Sequence, residues 1–109
     1  MFRQVPLEDL GPVDFMPQAV VHRQVGYFSA VLGLRFERDT DDLDDYVSAY
    51  FKLDEQLPFA LVHYRGNPTD TITIYFARET KREDVPSIVS RIVDAFKLPS
   101  NAIEWISSK

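Results

Sequence analysis

Tyr46-Val47-Ser48-Ala49-Tyr50-Phe51-Lys52-Leu53 is the stretch on which the fold turns. Read with a period of two, it puts Val47, Ala49, Phe51 and Leu53 on one face and Tyr46, Ser48, Tyr50 and Lys52 on the other. Read as a helix, it lines up Leu43, Val47, Tyr50 and Phe51 at i, i+4, i+7 and i+8. Aromatic and β-branched residues suit a pleated surface, and the alternation runs unbroken through the stretch, so a strand is expected. Asp54-Glu55-Gln56 then serves as a short turn.

Downstream, the runs 58–65 and 71–77 flank Gly66-Asn67-Pro68-Thr69-Asp70, a loop of turn-forming residues. With Arg65 opposite Thr71, the expected cross-strand pairs put Tyr64, Val62 and Ala60 with Ile72, Ile74 and Phe76 on a core face. His63, Leu61 and Phe59 then join Thr73, Tyr75 and Ala77 on a mixed face. A slip of one residue exchanges the faces. Next, Val85, Ile88, Val89, Ile92, Val93 and Phe96 recur at helical spacing. Asp84 is placed to cap that helix and Pro86 falls in its first turn, giving an expected helix over 84–98 that Pro99 stops, then a short strand over 102–106.

Upstream, Val21, Val25, Phe28 and Leu32 also fall on one helical face, with Pro17 at the start and Gly33 at the end, so a helix is expected over 17–32. Gly26 inside it costs about 1 kcal/mol relative to alanine. Residues 1–16 carry apolar side chains without a steady period and read as an arm packed on a single domain, 17–109. The expected fold is α+β: an antiparallel meander (46–53, 58–65, 71–77) and a C-terminal strand, covered by two helices. Making 41–52 helical gives the alternative, a ferredoxin-like βαββαβ order.

Composition excludes much. The 109 residues contain no cysteine, which removes disulfides, thiolate metal sites and a cysteine nucleophile. The four glycines form no phosphate-binding loop, and no Gly-x-Ser-x-Gly elbow occurs. Prolines and acids break up the first seventeen residues, and the longest nearly apolar run, 27–34, is too short to cross a bilayer, so a soluble cytoplasmic protein is expected. The net charge of −5 resides entirely in residues 37–45, which hold six acids and one base. Such a segment repels nucleic acids and anionic lipids, and neither partner is expected.

Three groups of residues invite function. Asp39, Asp41, Asp42 and Asp44 supply oxygen ligands for a divalent cation, but the calcium-loop pattern fails where Leu43 and Asp44 stand. A solvated, charge-bearing connection is the simpler reading. His63, Arg65, Thr73 and Tyr75 would share the mixed hairpin face, as the floor of a ligand or enzyme pocket. No carboxylate is placed to orient His63, and an ordinary strand histidine is the plainer alternative. Tyr46, Tyr50 and Trp105 suit an interface, since such side chains bury much area with few rotatable bonds. No catalytic residue and no cofactor is assigned. The chain reads foremost as a small acidic module that binds a protein partner or a second copy of itself. A small ligand-binding domain or enzyme and a cation-responsive module are the alternatives.

Overall fold

The computed structural model describes residues 2–42 and 44–107. In chain order the strands are β1 (Phe2–Val5), β2 (Phe15–Val21), β3 (Glu37–Thr40), β4 (Asp45–Leu53), β5 (Leu57–Tyr64), β6 (Ile72–Ala77) and β7 (Ile103–Ile106). All belong to one antiparallel sheet, ordered β1-β4-β5-β6-β2-β7. β3 pairs with residues 45–48 of β4 and β1 with residues 50–53, so these two short strands lie end to end on one edge of it. The one α-helix among the described residues, α1 (Val85–Ala95), is entered through a 3-10 turn at Arg82–Asp84.

This overturns the two-helix α+β fold expected from the sequence, and the ferredoxin-like alternative with it. Residues 45–53 are strand, which removes the helix that alternative needs. Nor is 17–32 a helix. Its first part is β2, and only one wide helical turn follows at Tyr27–Val31, closed by Leu32 N–H donating to the Tyr27 carbonyl at 3.4 Å. Val21 and Phe28 do reach the core, and Val25 and Leu32 pack against it. They get there from a strand end and a turn, so their helical spacing is a coincidence of burial. Pro17 lies beside a register shift between Pro17 and Ala19, beyond the last β7 pair at Ala19. A bulge of this kind accommodates a residue that cannot donate to the ladder. The arm expected over 1–16 supplies β1, a 3-10 turn at Leu7–Leu10 and the first residues of β2.

The β5–β6 register is one residue away from the expected one. Phe59 pairs with Phe76, Ala60 with Tyr75, Leu61 with Ile74 and Val62 with Thr73. The loop geometry explains the slip. Asn67 N–H donates to the Tyr64 carbonyl and Thr71 N–H to the Pro68 carbonyl, making two successive turns. Arg65 sits inside the first of these, its N–H donating to the Asp45 carbonyl of β4 at 2.9 Å, and so cannot face Thr71 across the hairpin. The result places Phe59 and Leu61 under α1 in place of Ala60, Val62 and Tyr64, a larger apolar volume with no phenol to satisfy.

The core therefore lies between α1 and one sheet face. Val85, Ile88, Val89, Ile92 and Val93 cover Ala49, Phe51, Phe59, Leu61, Ile72, Ile74 and Phe76. Fully burying side chains of this size stabilises the fold by about 1.5–3 kcal/mol each. Phe96 stands at the focus, its ring centroid 4.6 Å from Phe2, 5.6 Å from Phe28 and 5.7 Å from Phe51. Among the described residues no helix is long and apolar enough to cross a membrane.

Candidate functional site

Strand alternation that sends Val47, Ala49 and Phe51 toward α1 must send Tyr46, Ser48 and Tyr50 away from it. The registers then assemble the reverse face. Tyr46 lies opposite Tyr64, Ser48 opposite Val62, and Tyr50 opposite Ala60, which is in turn opposite Tyr75. Phe15 completes the set from β2, its ring 5.9 Å from that of Tyr50. The rings of Phe15, Tyr46, Tyr50, Tyr64 and Tyr75 surround a shallow hollow of 140 Å³ whose floor is Ala60 and Val62. Both floor residues are buried, yet neither belongs to the core cluster beneath α1. Their burial comes from the aromatic walls.

Carboxylates edge this hollow on one side. Asp39 pairs with Tyr46 in the β3–β4 register, and the Tyr64 hydroxyl donates to Asp41 Oδ2 at 2.6 Å. That hydrogen bond, followed by burial, raises the Tyr64 hydroxyl far above the ordinary phenol value. Burial first, and then the charge of Asp39, raises Tyr46. Tyr75 is raised by burial and then by Asp41. The hydroxyls of Tyr46, Tyr64 and Tyr75 therefore stay neutral throughout the ordinary pH range, and the negative charge at the rim belongs to the aspartates.

The residues singled out from sequence are distributed as follows. Tyr46 and Tyr50 line the hollow. Trp105 is half exposed opposite Val20, on the same side of the sheet but on the far edge strand. The proposed His63, Arg65, Thr73 and Tyr75 grouping is split by the register slip, with Thr73 and Tyr75 on the side opposite His63. His63 and Arg65 line a second cavity of 320 Å³ with Arg38, Asp45, Val47, Thr69 and Tyr46, the last shared with the hollow. There His63 Nδ1–H donates to the Thr71 carbonyl at 2.9 Å, so a peptide group and not a carboxylate lies behind the ring. Arg65 is held by Asp44 at 3.1 Å and Asp45 at 3.3 Å, which offsets its charge locally.

In the acidic segment, carboxylates are used largely to shape the turn. Asp39 Oδ1 accepts from Thr40 N–H, Asp41 Oδ1 from Asp44 N–H, and Asp44 Oδ1 from Asp45 N–H. Asp42 is exposed, and Leu43 lies outside the described residues. Among the described residues, no group of three or more histidine or acidic side chains converges to hold a metal ion. His22 was not singled out from sequence. Its Nε2 lies 2.7 Å from Asp70 and its Nδ1 3.4 Å from Glu104, so it ties the hairpin loop to β7. The two carboxylates sit at different ring nitrogens and do not share a point at which a ligand could be held.

Sequence reasoning missed Tyr64 and Phe15 as members of the aromatic face. The signal was present in the alternation of Tyr46 and Tyr50, but the assumed hairpin register assigned Tyr64 to the core. No protein-family model, curated protein or solved structure matches this chain.

Proposed function

We propose that the protein is a non-catalytic, cytoplasmic interaction module that binds a basic partner protein through the sheet face turned away from α1. The observation that carries this reading is the aromatic hollow bordered by Asp39 and Asp41. Tyrosine gives large amphipathic contact area at low entropic cost, and interface hot spots are enriched in it. The acidic border favours a positively charged partner and disfavours a second copy of this acidic chain. A chain without cysteine also forgoes the cross-links that small extracellular domains commonly use.

The test is retention of proteins from an extract of the source cells by the immobilised wild-type chain, compared with Tyr50→Ala/Tyr75→Ala. Light scattering of the free chain accompanies it. The expected result is a basic protein retained by the wild type and lost from the doubly substituted chain, whose circular dichroism is unchanged. A monomer that retains nothing, or a partner held equally well by both chains, would sink the proposal. Stable self-association through this face would replace the basic partner with a second copy.

A further inference from the structure

We infer that the aromatic hollow is a socket for one arginine side chain presented by the partner, an inference that rests on the reading of this face as a protein-binding surface. Size selects a side chain over a free metabolite. At 140 Å³ the hollow is well below the roughly 300–1,000 Å³ typical of small-molecule pockets. Its walls are aromatic rings. Tyr46 and Tyr64 are tilted by 42° with centroids 5.2 Å apart, and Phe15 and Tyr50 by 43° at 5.9 Å. Aromatic rings attract cations over their faces through the ring quadrupole.

Among the described residues, no cation of the chain itself lines the hollow. Among the described residues, the cation–ring contact is Arg23 over Tyr27, at 5.3 Å, and Tyr27 is not part of this hollow. Asp39 and Asp41 add a negative field on the β3 side, and donation from Tyr64 to Asp41 enriches the Tyr64 ring in electron density. Geometry favours guanidinium over ammonium. A flat, weakly hydrated guanidinium can stack on one ring while directing its N–H edge toward a carboxylate or a phenol oxygen. A lysine ammonium is compact and strongly hydrated, and has no plane to stack. The floor residues, Ala60 and Val62, are apolar and smaller than the rings around them.

The probe is N-acetyl-arginine amide, titrated into the full chain while the tyrosine and phenylalanine ring resonances are followed by NMR. N-acetyl-citrulline amide serves as the uncharged control of nearly the same shape. Saturable shifts confined to Phe15, Tyr46, Tyr50, Tyr64 and Tyr75, weaker for lysine amide and weakest for citrulline amide, are expected. Tyr46→Leu and Tyr75→Leu should each raise the dissociation constant about two- to five-fold, the equivalent of one exposed cation–π contact. Asp41→Asn should weaken arginine more than citrulline. Equal shifts with citrulline, or no saturation at tens of millimolar arginine amide, would overturn the socket. Because this probe is a small molecule, its failure leaves the retention experiment untouched. The converse also holds: loss of the retained partner would not erase a saturable arginine site.

Discussion

A phenol that donates to a carboxylate resists losing its proton, and Tyr64 does so against Asp41. Tyr46 and Tyr75 are also raised, by burial and by the neighbouring aspartates. A group whose folded value lies above its unfolded one keeps its full contribution below the unfolded value and loses it as pH rises toward the folded value. Stability should therefore hold steady through neutral pH and fall above the ordinary tyrosine value of about 10. Tyr64→Phe should flatten that alkaline decline. Urea unfolding at pH 8 and above pH 10, with tyrosinate absorbance followed in parallel, tests this; an unchanged slope in the variant would contradict the cause assigned to it. Phe96 makes the opposite kind of contribution, through packing alone. Its ring meets Phe2, Phe28, Phe51 and Phe59, so Phe96→Ala should cost about 3–5 kcal/mol in chemical denaturation. Trp105→Ala, at a half-exposed edge position, should change stability by no more than about 0.5 kcal/mol.

Elements differ in how plainly their residues announce them. β4 was legible because each side chain along it alternates between an apolar and a more polar face, and α1 because six apolar positions repeat at helical spacing. β2 was not, since Val21, Val25, Phe28 and Leu32 satisfy a helical template while lying on different local structures. The hairpin register was also hidden. It depends on whether Arg65 ends a strand or enters a turn, and its N–H bond to the Asp45 carbonyl of β4 belongs to a strand outside that hairpin. This one-residue difference divided His63 from Tyr75 and gave Tyr64 to the aromatic face. The end of α1 offers a test at this scale. Leu98 N–H donates to the Val93 carbonyl and Lys97 N–H to the Asp94 carbonyl, the paired bonds of a Schellman cap. Lys97 occupies the left-handed position with φ 60°, where glycine carries no Cβ penalty. Lys97→Gly should therefore stabilise the protein by about 0.5–1 kcal/mol, since relief of the left-handed strain exceeds the extra entropy of the unfolded chain. Thermal unfolding would show it as a higher midpoint, and a lower one would mean that the lysine stem contributes more than the strain costs.

At the scale of the molecule, the strand order β1-β4-β5-β6-β2-β7 puts three strands between the N-terminal strand and β2. β3, β4, β5 and β6 follow one another in both sequence and space, whereas the β1–β4, β2–β6 and β2–β7 pairings join distant segments whose choice no local period reveals. That order packs α1 on one face and leaves the aromatic hollow on the other, with the acidic β3–β4 connection beside it. The charge and the rings should then affect different stages of binding. Long-range attraction toward the net charge of −5 speeds the encounter and is screened by salt, whereas ring contacts form only after docking. With an arginine-rich peptide as probe, the association rate should fall about ten-fold or more as ionic strength rises from about 0.05 to 0.5 M, with a much smaller change in dissociation. Asp39→Asn/Asp41→Asn should lower the association rate at low salt and flatten its salt dependence. Tyr75→Ala should leave the association rate nearly intact and speed dissociation. Stopped-flow measurements on the three chains separate these effects, and a salt-independent association rate, or a tyrosine variant altered only in association, would show that charge and rings do not divide the work in this way.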